Sequence, residues 1–148
     1  MRRSLVAVAA AVAVSTLSAC GGGGSSMSSS SSAGSSGTVT VTEHEYSIKL
    51  SSTTLKAGPV HFSVKNQGGM PHELVLFKTT LKANALPQKN GVVDQQGSGV
   101  EKISPELDNI NAGDTKTLDV QLTPGSYVAI CNIAGHYQLG MHTAFTVS

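Results

Sequence analysis

An all-β fold, an antiparallel sandwich or barrel, is what the sequence predicts from Val39 onward. Three observations point to it. Short segments alternate apolar and polar residues with period two, turn signals separate them at close intervals, and helical periodicity is nearly absent. Six to eight strands over about 110 residues suit a sheet-on-sheet or closed-sheet architecture.

Each element follows from its own pattern. Thr38-Val39-Thr40-Val41 and Tyr46 to Leu50 alternate, and Val60-His61-Phe62-Ser63-Val64 places Val60, Phe62 and Val64 on one face. Leu74-Val75-Leu76-Phe77 is a continuous apolar run, as expected of a strand buried on both sides. Thr117 to Leu122, Ser126 to Ile130 and Thr143 to Val147 complete the set. Ala57-Gly58-Pro59, Asn66-Gln67-Gly68-Gly69, Ala112-Gly113-Asp114 and Pro124-Gly125 mark the turns. Residues 79–99 break the pattern. Leu81 to Leu86 reads as a short helix, and Pro87 to Gly99 as a polar, Gly-rich excursion of a length that is usually functional or mobile.

The segment before the domain reads as an export and anchoring device. Arg2 and Arg3 precede the apolar Leu5 to Val14, which is too short to span a bilayer. Residues 1–19 are expected to be a lipoprotein signal peptide. It ends in Leu17-Ser18-Ala19-Cys20, so Cys20 is the expected lipidated (palmitate-bearing) first residue of the mature chain. Residues 20–38 then form a flexible tether of mostly Gly and Ser that spans roughly 20–25 Å, leaving 39–148 as the domain. The expected location is a bacterial membrane, with the domain facing the periplasm or the cell exterior. The arginine pair leaves Sec and twin-arginine export both open.

Charge excludes one partner class. Without Arg2 and Arg3 the formal net charge of +1 becomes −1, and the remaining basic residues are scattered lysines, so nucleic acid is not expected as a partner. With Cys20 acylated, Cys131 is the sole thiol of an exported chain and needs burial, protection or a ligand role.

Four residues supply that role. Cys131, His136 and Met141 lie at intervals of five on one loop between the last two strands, and His72 heads a distant strand after Gly68-Gly69-Met70-Pro71. Two imidazoles and a thiolate with a weak axial thioether suit a copper ion that alternates between Cu(I) and Cu(II). Zinc accepts His and Cys as well, but its structural sites favour paired Cys-x-x-Cys spacing, which this chain lacks.

Asn66-Gln67-Gly68 followed by Pro71-His72, then Pro124-Gly125-Ser126-Tyr127, then Cys-x4-His-x4-Met, resembles the cupredoxins, the small blue copper proteins such as plastocyanin and azurin. The resemblance covers about Val39 to Ser148. It implies a Greek-key antiparallel β-sandwich, one mononuclear type 1 copper ion held by His72, Cys131, His136 and axial Met141, and single-electron transfer as the role. Many cupredoxins place Asn after the first ligand histidine to tie the two ligand segments together. Here Glu73 follows, and it either serves by hydrogen bonding or points away.

Ordinary readings compete at each position. His72 alone is a turn histidine, Cys131 a core cysteine and Met141 core filler; only their grouping favours ligation. His142 is expected on the opposite face from Met141, and His61 and His44 toward solvent. Tyr127 reads as a buried structural tyrosine with its hydroxyl bonded to backbone. Met70, Pro71, Ile133, Ala134 and Leu139 are either loop packing or an apolar docking patch around an exposed imidazole edge.

The leading functional expectation is a membrane-tethered, monomeric one-electron carrier. Its partners would be envelope redox proteins: a cytochrome, an oxidase or a copper reductase. The alternative is an envelope lipoprotein for copper capture or delivery, against which stands the absence of Met-rich and His-rich tracts. An enzyme is not expected, because multicopper oxidases show His-x-His pairs and none occurs here. A metal-free adhesive sandwich would leave the four-residue grouping as coincidence.

Overall fold

The computed structural model describes residues 36–148; the expectations for residues 1–19 and for Cys20, and most of the tether, lie outside the described residues. The first strand begins at Ser36, three residues before the expected domain boundary. Eleven strands follow in order among the described residues: β1 (Ser36–His44), β2 (Ser47–Leu50), β3 (Thr54–Leu55), β4 (Gly58–Asn66), β5 (His72–Lys78), β6 (Gln88–Lys89), β7 (Val92–Val93), β8 (Glu101–Ile110), β9 (Thr115–Leu122), β10 (Gly125–Ile130) and β11 (His142–Val147).

Two sheets face each other. One runs β2-β1-β4-β9 and the other β3-β11-β10-β5-β8, while β6 and β7 form a separate ribbon. The period-two alternation explains the layering. Val39 and Val41 of β1, Val60, Phe62 and Val64 of β4, and Leu118, Val120 and Leu122 of β9 point inward, where they meet Leu74, Leu76, Tyr127, Phe145 and Val147 of the second sheet. The sheets are mixed rather than purely antiparallel, since β1 pairs parallel with β4 and β11 parallel with β3. The chain leaves the β1–β2 hairpin, crosses through β3 in the other sheet, and returns to pair with β1 as β4. That crossing brings β4 back along β1 in the same direction.

The apolar run 74–77 is buried on both sides because residues 79–99 cover its outer face. Val75 and Phe77 of β5 and Val128 and Ile130 of β10 turn away from the main core and pack with Leu86, Val93 and Tyr137 in a second one. No helix forms at Leu81 to Leu86. A single turn closes there, with the Ala85 N–H donating to the Lys82 carbonyl at 2.9 Å, and Leu86 and the following Pro87 carry the chain flat across the sheet. Strand β8 is absent from the alternation reading. It pairs with β5 at the sheet edge in a register that shifts twice, which breaks the strict period, and Pro105 is tolerated there.

Candidate metal centre

The site sits where strand ends converge. His72 is the first residue of β5, opposite Ile110 of β8. Cys131 directly follows β10, Met141 directly precedes β11, and His136 lies on the loop between them. That loop is stitched by its own backbone: the Cys131 N–H donates to the Met141 carbonyl at 3.1 Å, the His136 N–H to Ile133 at 2.9 Å, and the Met141 N–H to His136 at 3.0 Å. Gly140, at φ +117°, lets the loop close on the β1–β2 turn; a Cβ there would stand 3.0 Å from the Tyr46 carbonyl oxygen.

Three side-chain donors face one point. The Nδ1 atoms of His72 and His136 are 3.3 Å apart, and the Cys131 Sγ lies 3.3 Å from His136 Nδ1 and 3.9 Å from His72 Nδ1. The point equidistant from the corners of that triangle is about 2 Å from each, the length of a bond from a first-row metal to imidazole nitrogen and a few tenths of an ångström short of one to thiolate sulfur. His72, Cys131 and Met141 are fully buried, and His136 keeps 9% of its surface exposed. Met141 belongs to the same apolar cluster as Cys131. Burial lowers the pKa of both histidines, with His136 adding to the effect on His72, so the imidazoles favour the neutral, ligating form. Burial pushes the Cys131 thiol up to about 11, although the main-chain amides of Ile133 and Glu73 favour its thiolate. The sulfur therefore needs a cation to ionise at neutral pH.

The surroundings hold residues that the sequence reading did not assign. Buried Asn66, at the end of β4, donates from Nδ2 to the carbonyls of Met70 at 2.7 Å and Ile110 at 2.8 Å, while its Oδ1 accepts the Gly68 N–H at 2.8 Å. It fixes the loop that presents His72. The Glu45 carboxylate accepts the N–H groups of Gly69 and Met70 on the same loop, and the first of these bonds is the main cause of its lowered pKa. Glu73 does not simply point away. Its main-chain amide favours the Cys131 thiolate, and the Asn132 main-chain N–H favours the Glu73 carboxylate against the burial that raises its pKa. Glu73 thus links the segments of His72 and Cys131, the tie that Asn makes in the resembling family. Tyr46, 41% exposed, meets the His136 ring edge-on with centroids 6.0 Å apart. Glu43, fully buried on β1, has no hydrogen-bond partner at either carboxylate oxygen, and burial followed by the charge of Glu73 raises its pKa to about 8.

The other histidines stay out of the group. His142 packs against the Tyr137 ring at 5.2 Å, His61 pairs with Asp119 at 2.6 Å, and His44 pairs with Glu45 at 3.0 Å. The Tyr127 hydroxyl donates to the Thr123 carbonyl at 2.8 Å, the backbone bond expected of it. Of the apolar residues singled out around the site, Leu139 is 57% exposed, Pro71 and Ala134 are exposed, and Met70 and Ile133 are half-buried.

Two imidazoles and one thiol within reach of a single ion, the group of ligating side chains found among the described residues, with Met141 in the same buried cluster as Cys131, define a blue copper protein of the cupredoxin fold. Residues 54–148, well over half of the chain, match the sulfocyanin (SoxE) domain. The chain belongs to that family, a family of blue copper proteins that carry electrons, and its cofactor is one type 1 copper ion. Among solved structures, dithionite-reduced auracyanin from the photosynthetic bacterium Roseiflexus castenholzii shares the fold, at 20% identity over 78% of this chain and 99% of that one, with a TM-score of 0.58. Auracyanin B is similar at 25% identity over 75% of this chain and 88% of that one, with a TM-score of 0.54. No curated protein matches the chain significantly in sequence.

Proposed function

We propose that this protein carries single electrons at a bacterial cell envelope, on a copper ion that His72, Cys131, His136 and Met141 would hold. The observation that carries the reading is the convergence of two Nδ1 atoms and one Sγ within bonding reach of a single point. Copper bound there supplies a one-electron couple between Cu(II) and Cu(I). The chain supplies the rest. His72 and Cys131 are anchored at the ends of two paired strands, which would hold the spacing of their donor atoms through a change in the charge of a bound copper ion. Burial of three of the four residues excludes water and leaves no open position for a substrate, which favours a carrier over an enzyme. It also disfavours copper capture or delivery, because a metal exchanged between proteins needs accessible donors.

His136, at 9% exposure the least buried of the four, is the site's approach to a partner, and Met70, Pro71, Ile133, Ala134 and Leu139 frame it as an apolar contact surface for brief docking. Candidate partners are a cytochrome, an oxidase or a copper reductase of the envelope. Cys20 carries the lipid, and the residues between it and the start of β1 at Ser36 give the domain its reach from the membrane. Voltammetry of the copper-loaded protein tests the carrier role: a reversible wave with one electron per copper supports it, and irreversible loss of copper on reduction overturns it. Fractionation of cells fed labelled palmitate tests the anchor. Label on the wild type and none on Cys20→Ser supports it; unlabelled wild type overturns it.

A further inference from the structure

The ligand loop has two sides, and only one faces the candidate metal site. Cys131 and His136 turn inward. The residue after each, Asn132 and Tyr137, turns outward and is buried nonetheless. Residues 79–99 bury them. The Asn132 side chain pairs with the backbone of Val93 in both directions: its Oδ1 accepts the Val93 N–H at 2.6 Å and its Nδ2 donates to the Val93 carbonyl at 3.1 Å. The Tyr137 hydroxyl does the same across a gap in the chain, accepting the Leu86 N–H at 2.9 Å and donating to the Ala83 carbonyl at 2.7 Å. Between them the Gly135 N–H donates to the Gly91 carbonyl at 3.2 Å, and Gln138 Nε2 reaches the same carbonyl at 3.0 Å.

We propose that residues 79–99 are a clamp that positions the copper ligands, with Asn132 and Tyr137 as the positioning residues for Cys131 and His136. The argument is one of placement. Packing alone would need only apolar side chains over Val75, Phe77, Val128 and Ile130, and the second core supplies that with Leu86 and Val93. Hydrogen bonds to backbone carry direction as well as attraction. Both bidentate contacts land on the residue adjoining an inward-facing ligand, so a rotation that moves Cys131 or His136 must break two bonds between buried groups. A site that holds one geometry through a change of metal charge needs such a restraint on its outer side.

The proposal rests on the copper reading for its purpose but not for its first test. In the copper-free full-length protein, Tyr137→Phe keeps the ring and removes both hydroxyl bonds. Amide exchange at residues 135–141 should quicken about 10- to 30-fold, the loss expected of two buried hydrogen bonds, while β4 and β9 exchange as before. In the copper-loaded protein, Tyr137→Phe and Asn132→Asp, which loses the donation to Val93, should both weaken the red thiolate-to-copper band relative to shorter-wavelength absorption. A freed loop lets Cu(II) move toward the tetragonal geometry it prefers. Phe77→Leu disturbs the packing of the same second core without touching these bonds. It should lower the melting temperature and leave the band ratio unchanged. Unchanged loop exchange in Tyr137→Phe overturns the clamp whether or not copper binds, as does a band ratio that follows stability alone across the three variants. Should Tyr137→Phe not fold, Asn132→Asp carries both measurements. Loop exchange that quickens in a protein that never takes up copper would support the clamp while refuting the copper reading.

Discussion

Glu43→Gln tests the electrostatics beneath the site. The Glu43 carboxyl is fully buried, neither oxygen has a hydrogen-bond partner, and its pKa rises from the ordinary 4.5 to about 8 through burial first and the Glu73 charge second. Folding therefore favours the protonated acid by about 5 kcal/mol over that span. The folded state holds this proton more tightly than the unfolded one. The stabilisation is complete below about pH 4.5, is lost progressively as pH rises toward 8, and changes no further above it. His72, His136 and His142, whose pKa values burial lowers, act in the opposite direction, and Glu73 acts in the same one, so the wild-type profile alone is mixed. The difference between wild type and Glu43→Gln removes those shared contributions. Thermal melts of the copper-free proteins at pH 5, 7 and 9 should show similar stability at pH 5 and a growing advantage for the glutamine variant. That advantage should reach about 15–25 °C at pH 9 for a domain of this size. A difference that stays constant with pH would show that Glu43 ionises normally in the folded protein, and the reasoning would fail.

Three other outcomes follow from the geometry. Gly140→Ala combines a φ of +117° with a Cβ 3.0 Å from the Tyr46 carbonyl; it should cost about 1–3 kcal/mol in a urea titration. Asn66→Ala removes two hydrogen bonds to the His72 loop and a third to Ile110 of β8 and should cost about 2–4 kcal/mol, with weaker copper retention against a chelator. Because Cys131 is protonated at neutral pH, with a pKa of about 11, copper uptake should release a proton and tighten about tenfold per pH unit between pH 6 and 9, measurable by chelator competition corrected for the chelator's own titration.

The inward face of the sandwich was legible because period-two alternation reports burial directly, and β1, β4 and β9 obey it. The four grouped residues were legible because three of them share one short loop. Strand β8 was not, since an edge strand with Pro105 and one half-exposed face carries little alternation. The role of residues 79–99 was hidden for a different reason. Their bonds to Asn132, Gly135 and Tyr137 use main-chain groups, and backbone hydrogen bonding leaves no residue-type signature. One hint was available: a run such as Leu74 to Phe77 must be covered on both faces, and 79–99 was the nearest segment without a place in the sandwich. The tie made by Glu73 was an open question in the sequence because it depends on where an amide of another loop falls. The buried state of Glu43 could not be read from Glu43-His44-Glu45, which resembles a solvated turn, although the inward phase of Val39 and Val41 extends to it.

The most direct test of the central claim is the visible spectrum of the full-length protein during titration with Cu(II). The account predicts an intense thiolate-to-copper band in the red that saturates at one equivalent, bleaches with ascorbate, returns with oxidant, and is absent in Cys131→Ser. A colourless protein, or a band that survives in Cys131→Ser, would contradict it.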